Sequence, residues 1–449
     1  MTQICDPKKE ASLRKSILTE ETFNNHLKQF SSSPWIQELK IEYWEKFKSL
    51  KMPKRTDEEW RFSNPSDIII EPFIKTREPV DSVKEKTISE SKMISEYSGR
   101  MIFTDNFMID YQLSDELKAK GVIWESLNIA FERYPDLLKN YFLNDRSTLG
   151  GDKFLALHAS YCETGVFLYI PQGVEIEKPF IAYHWAHECE TALFPHTLIV
   201  TEDNTLVNHV DIYQSLKPEG DAFSCGLETI YAGANSKVFR KSIQNWNEHT
   251  TSFQIGETIA KRDCSVKNIS VNLGSKKARF ENCIKIIEPG ADVKTYSLTV
   301  AEEKQEFDQR THQYHLAPNA TSEFLYKNAL LDKSHTIFSG MIEVDKCAQQ
   351  TDAYQTNRNL LLSPLATADS LPGLEIEAND VKCSHGATTG QIDSEELFYM
   401  KARGIQERQA KQLLVFGFFE EIIEKIDNKD LRENIRRVIN LKFEDKITR

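Results

Sequence analysis

No Cys-x-x-Cys pair occurs among the eight cysteines, Cys5, Cys162, Cys189, Cys225, Cys264, Cys283, Cys347 and Cys383. Scattered in this way they do not indicate a disulfide framework or a self-contained zinc or cluster site, so a metal held here is expected to need ligands from elsewhere. P-loop, GxGxxG, HExxH and GxSxG motifs are missing too. Nucleotide hydrolysis, hydride transfer, zinc proteolysis and serine hydrolysis lack their hardware, and energy-consuming work would fall to another subunit. No stretch approaches the ~18 to 20 apolar residues of a membrane span, and the leading segment "MTQICDPKKEASLRKSILTEETF" lacks the apolar core of a signal peptide. A cytoplasmic location is expected. Basic charge is in deficit: 56 Lys and Arg against 68 Asp and Glu leave a net charge of -12. That field repels phosphate backbones and anionic lipid, so neither nucleic acid nor membrane is an expected partner.

What is present is ample apolar material, 40% of 449 residues, enough for two or three domains. Three regions differ in pattern. Residues 1–148 read as mainly helical. Thr19 suits a helix cap before "EETFNNHLKQF"; in "SSSPWIQELKIEYWEKFKSL" Ser33 can cap, Pro34 suits the first turn, and Trp35, Leu39, Tyr43 and Phe47 form one stripe for packing. "ESLNIAFERYPDLLKNYF" reads as helix again around Pro135.

Residues 149–390 carry short runs of Val, Ile, Phe, Tyr and Thr divided by Gly, Asn, Asp and Pro, the signature of strands. Small or acidic turn units precede a strand at Gln172, Glu202, Ala232, Ala260, Glu288, Ala317, Asp345 and Ala378, in steps of 30, 30, 28, 28, 29, 28 and 33 residues. A period in that range without helices predicts stacked coils of a β-solenoid, right-handed by the usual crossover preference. Seven steps at the spacing of strands make a rod roughly 34 Å long. A β-sandwich is the alternative, but Asn-Gly hairpin turns are missing from the boundaries.

Residues 391–449 return to helix. Asp393 with Glu396 signals a start and Gly404 a stop. In "ERQAKQLLVFGFFEEIIEKI" (407–426) apolar residues cover most of the circumference, so this helix is either buried inside a small bundle or partly reserved for a partner.

Chemistry concentrates in "NDVKCSHGATTGQID". Cys383 and His385 share parity, so on a strand both side chains face one way, within reach of a common ion. Val381 has the same parity, which suits an inert packed pair; a nucleophile with its base is the third reading, though no oxyanion hole is visible. His187 and Cys189 repeat the geometry, with His184 and His196 nearby, whereas His312 and His315 have opposite parity. Packing, half a metal site and catalysis all stay open on these residues alone.

The segments "DAYQTNRNLLLS" (352–363), "LEIEANDVKCSHGATTGQID" (374–393), "LFYMKARGI" (397–405) and "DEEWRF" (57–62) resemble the SufB/SufD family of iron-sulfur cluster assembly proteins. "KCSHGAT" is closer to the SufD branch, and Arg358 and its neighbours stand where the SufB branch has a cysteine, so this chain resembles the half that lacks that thiolate. The resemblance implies a mainly β fold: a right-handed parallel β-helix flanked by N-terminal and C-terminal α-helical regions. It implies pairing with a SufB-like paralogue, one copy of the ABC-type ATPase SufC on the C-terminal helices, and a possible homodimer when isolated. His385 becomes a candidate metal ligand for a nascent cluster shared with SufB, and Cys383 a second candidate. The isolated chain is expected to bind no cofactor stably, holding iron or an iron-sulfur cluster only transiently at the SufB interface. A non-catalytic scaffold is thus expected. The alternative is a β-helix carbohydrate-processing enzyme, for which Glu202, Glu288 and Asp345 are the available turn carboxylates.

Overall fold

The computed structural model of the chain describes residues 15–144 and 146–444; Cys5 and most of the leading segment lie outside them. Two long sheets face each other. β1 (Val166–Ile170) lies in sheet A and β2 (Phe180–Ala186) in sheet B. The alternation continues through β3 (His196–Thr201), β4 (Leu206–Ser215), β5 (Ala222–Ala232), β6 (Lys237–Asn245), β7 (Thr250–Ala260) and β8 (Ser265–Asn272). It ends with β9 (Lys277–Ile286), β10 (Asp292–Ala301), β11 (Glu306–His315), β12 (Thr321–Leu330), β13 (His335–Val344), β14 (Thr351–Leu361), β15 (Thr367–Ile376) and β16 (Val381–Gln391). Odd strands build sheet A and even strands sheet B, each pairing in parallel with the strand one coil away. The result is a mainly β fold with a solenoid of about eight turns and helices at both ends.

The period has a backbone cause. At the corner from sheet A to sheet B, successive coils place Asn204, Asn235, Asp263, Gly290, Asn319 and Gln350 at positive φ. Asn, Asp and Gly enter that left-handed region at the least steric cost, so the turn units mark the corners of the coils.

Strand alternation then sorts side chains into three layers. Val207, Ile230, Val238, Val266, Ile284, Val293 and Phe338 pack together in the lumen between the sheets. The outer face of sheet A, with Phe223, Leu227, Phe253 and Ile255, is covered by N-terminal helices, among them α1 (Glu20–Leu27), α2 (Pro34–Ser49) and α3 (Asp152–Tyr161). The outer face of sheet B, with Val210, Ile212, Ile243, Leu298 and Leu325, is covered by α5 (Glu407–Ile423) and α6 (Lys429–Glu444), which follow α4 (Ser394–Ala402). The apolar helix at 407–426 is therefore buried mainly against sheet B, with Val415, Phe419, Ile422 and Ile423 fully enclosed. No helix among the described residues is long and apolar enough to cross a membrane.

Caps follow the sequence in part. Thr19 Oγ1 accepts from Thr22 N at 3.2 Å, Asp393 Oδ1 accepts from Glu395 N at 2.7 Å, and Gly404 adopts φ +86° at the stop. On α2 the first three positions of the expected stripe are displaced by one, while Phe47 is enclosed as expected. The enclosed residues are Ile36, Lys40, Trp44 and Phe47, with Trp35, Leu39 and Tyr43 only partly covered. Lys40 can be buried because its ammonium donates to the carbonyl oxygens of Ala159, Ser160 and Cys162 at the end of α3, although burial lowers its pKa to about 8.

The segment at 57–62 is pinned to sheet A by two buried cations: Arg310 donates to the Arg61 carbonyl oxygen (2.7 Å), and Arg279 makes the wider set of contacts. Arg279, buried on the outer face of β9, donates to Glu281 (2.9 Å), Asp308 (2.5 Å) and the carbonyls of Glu59 (2.9 Å) and Leu149 (2.6 Å), and lies 3.8 Å from the Trp60 ring centroid. Arg279→Ala strands buried carboxylates and should cost about 3–5 kcal/mol. Urea unfolding checks this; a loss under about 1 kcal/mol, the range of a surface pair, would refute the anchoring role.

Buried imidazoles set the response to acid. Burial holds His26, His209 and His315 down to about 4 and His158 to about 3. Their folded values lie below the unfolded one, so their stabilising contribution is complete above pH 6.5 and is lost as pH falls toward 4. Each should cost about 2 kcal/mol between pH 7 and pH 5. The urea midpoint is expected to drop over that interval, and to drop less in His26→Gln; a flat midpoint from pH 7 to 5 would contradict it.

Candidate functional site at the open end of the solenoid

The two ends of the solenoid differ. At the first coil, strand Gly99–Thr104 continues sheet B beside β2, Phe107–Leu113 turns back against it, and Ile123–Ser126 pairs antiparallel with β1. At the last coil β15 and β16 end their sheets with no further strand among the described residues. Both leave one row of backbone N–H and C=O groups unpaired, an edge ready to accept another chain. Pro372 sits in β15, where an edge position tolerates its missing donor.

Two inward rows of sheet B lead to this end. One runs Val238, Val266, Val293, Ser322, Ala353 and stops at Cys383; the next runs Arg240, Asn268, Thr295, Phe324, Gln355 and stops at His385. The first row is apolar apart from Ser322, so Cys383 is half-buried beside Ile342, Val344, Ala348 and Ala353, and burial raises its thiol pKa. The second row is mostly polar, and on the last coil nothing lies over it. His385 is exposed and, among the described residues, makes no hydrogen bond or ion pair. Both side chains share the face their parity requires, on one edge strand. They set an imidazole and a thiol on one face at the uncovered end of sheet B, donor types that could hold a borderline-soft metal.

The rival grouping does not assemble. His184 points into the lumen and its Nε2 lies 3.2 Å from Asp211, His187 contacts Asp105 across a turn at 3.4 Å, and His196 faces outward toward α3, where it meets His158 and Cys162. His158 and Cys162 lie far from His196 in the chain, and no local spacing announced them. His312 bonds Glu343 on the outer face of sheet A (2.9 Å) while His315 bonds Ser322 inside (2.8 Å), so the odd spacing parts them.

Arg358 lies on the outer face of β14, whose neighbour is β16. Its guanidinium is 3.5 Å from Glu421 of α5, which also takes Lys327 at 2.5 Å; Asp427, just beyond α5, takes Lys241 at 2.7 Å. Charge pairs therefore tie α5 to the strand next to the edge. On α4 and α5, Phe398, Tyr399 and Leu413 stand 72%, 57% and 53% exposed. Large apolar side chains left in solvent on two consecutive helices suit contact with a protein surface.

Residues 184–418 match the family model described as SUF system FeS cluster assembly, SufBD core domain, and residues 20–181 match that of the SufBD protein N-terminal region. The chain is similar to the iron-sulfur cluster assembly protein SufD of Bacillus subtilis, 28% identical over 427 residues, or 93% of this chain and 97% of that protein. It is 26% identical over 392 residues to the SufD of Escherichia coli (86% and 88% covered) and 27% identical over 406 residues to a SufBD family protein of Synechocystis (87% and 88%).

Proposed function

The chain belongs to the SufBD family of SUF-system iron-sulfur cluster assembly proteins, and on that premise we propose that it is a non-catalytic scaffold subunit of the SufD kind. It pairs with a SufB-like paralogue along the edges of β15 and β16, where main-chain hydrogen bonds supply affinity and side chains supply register. His385 offers an imidazole to a nascent cluster at that seam, the paralogue supplies the thiolate this chain lacks, and Cys383 is an auxiliary ligand. Iron accepts mixed nitrogen and sulfur ligation, and ligands divided between subunits release their cargo when the seam moves. Motion comes from a SufC-type ATPase seated on Phe398, Tyr399 and Leu413. The ion pairs between α5 and sheet B pass displacement to β14 and so to its neighbour β16. In isolation the same edges would pair two copies of this chain.

The observation that supports this reading most is an unpartnered imidazole on the terminal strand of an uncapped solenoid. Co-purification from the native host tests it: a SufB-like protein and an ABC-type ATPase are expected with the chain, and recovery of neither would overturn the assignment. No second reading gains support. Glu202, Glu288 and Asp345 fall on one edge of the solenoid, but no two are on adjacent coils. Each is occupied locally: Glu202 accepts from Tyr169 Oη (3.0 Å), Glu288 from Arg262 N (3.0 Å) and Asp345 from Cys347 N (2.9 Å).

A further inference from the structure

We propose that His158, Cys162 and His196 form a binding site for one borderline-soft divalent cation of the zinc, cobalt or ferrous class, in the layer between the N-terminal helices and sheet A. The site is separate from the seam at His385 and does not depend on the function proposed there. His158 on α3 and Cys162 at its C-cap stand one turn apart, His196 opens β3, and one ligand atom from each lies within 4.8 Å of the others. Metal–nitrogen bonds of about 2.0–2.1 Å and metal–sulfur bonds of about 2.3 Å set donors roughly 3.3–3.6 Å apart in a tetrahedron, a spacing this cluster reaches with small adjustments. All three side chains are fully buried.

Hydrogen bonding orients the ligands inward. His158 Nδ1 lies 2.7 Å from the carbonyl oxygen of Cys225, so this nitrogen carries the proton and Nε2 presents a lone pair to the cluster. A backbone carbonyl holding the outer nitrogen is the usual support of a ligating imidazole. His196 Nδ1 lies 3.0 Å from His158 Nε2 and must donate to it when no metal is present, which leaves His196 Nε2 buried with no partner. Phe142 stacks on the His196 ring at 5.0 Å and fixes its plane. A cation between the two rings takes the lone pairs of His158 Nε2 and His196 Nδ1; the His196 proton moves to its Nε2, and the Cys162 proton is released to solvent. Lys40 and Arg146 oppose a cation here, while the thiolate and Glu163 offset them.

The ordinary alternative is a neutral histidine pair filling an aromatic core. It leaves unexplained why the cysteine one turn along shares the pocket. A cleft approaches the cluster without reaching it: Glu163 and Thr164, directly after Cys162, line an open cleft of about 480 Å³ together with Asn128 and Glu132. Cys162 Sγ lies 3.7 Å from the Thr164 carbonyl oxygen, so the floor of the cleft adjoins the ligand set.

The test uses the full chain carrying Cys347→Ser, Cys383→Ser and His385→Ala, stripped with chelator, kept reduced and anaerobic, with Co(II) alone as the probe. It is added to folded protein and, separately, during refolding from urea, so that a closed wall cannot hide the site. One equivalent should bind with a thiolate-to-cobalt charge-transfer band and visible ligand-field bands, and should raise the melting temperature. Cys162→Ser should lose the charge-transfer band, and His158→Gln should weaken binding at least tenfold. Absence of the band after both additions, or its survival in Cys162→Ser, overturns the proposal; the first outcome needs no substitution within the cluster.

Discussion

His385→Ala is expected to reduce the cluster formed by the assembled complex on the order of tenfold or more, while the chain keeps its melting temperature and its partners. The stability half follows from exposure. The ring makes no hydrogen bond or ion pair among the described residues and covers no core, so its removal stays within about 0.5 kcal/mol. The functional half follows from ligand number. Even groups that only support a ligand cost about 10–100-fold in metal affinity when removed, and loss of the ligand itself should cost no less. Cys383→Ser should act more weakly, because the thiol is half-buried in an apolar row and its raised pKa makes the thiolate harder to reach. Anaerobic reconstitution with iron, sulfide and the purified partners, read by absorbance and iron content, checks both variants. Unchanged yield in His385→Ala would remove this residue from the mechanism.

A double substitution on the exposed helix face, Phe398→Asp with Leu413→Lys, is expected to abolish ATPase binding and leave folding intact. Deletion of the C-terminal helices cannot test this. Val415, Phe419, Ile422, Ile423, Ile426, Leu431, Ile435 and Ile439 are fully buried against sheet B and neighbouring helices. At about 1.5–3 kcal/mol each their loss exceeds the whole net stability of a typical domain, and the truncated chain should aggregate. Charges at Phe398 and Leu413 enter no core, yet place ions in an apolar contact. Size-exclusion binding to the ATPase decides: undiminished binding with an unchanged melt would place that interface elsewhere.

The coils were legible because the fold repeats one backbone requirement. A left-handed corner recurs, and Asn, Asp or Gly fills it at Asn204, Asn235, Asp263, Gly290 and Asn319, so composition carries the period. Parity alone put Cys383 and His385 on one face. What parity could not supply was the difference between them, which arises from the rows they end, one apolar and one polar, and from the missing next coil. Lys40 explains the displaced stripe on α2. A lysine is not counted as a core residue until its ammonium is seen against the carbonyls that end α3. The apolar surplus at 407–426 was visible, but its principal partner was the outer face of sheet B, a surface that exists only once the coils have stacked. His158 and Cys162 were invisible for a like reason: their third neighbour, His196, arrives through strand stacking.

The most direct test is pulsed electron paramagnetic resonance of the reduced cluster in the assembled complex, with this subunit labelled with 15N-histidine and its partners unlabelled. A nitrogen hyperfine coupling from a directly bound imidazole is expected, and it should vanish in His385→Ala. A cluster with no such coupling, or with a coupling that persists after His385 is replaced, would contradict ligation at the open end of the solenoid.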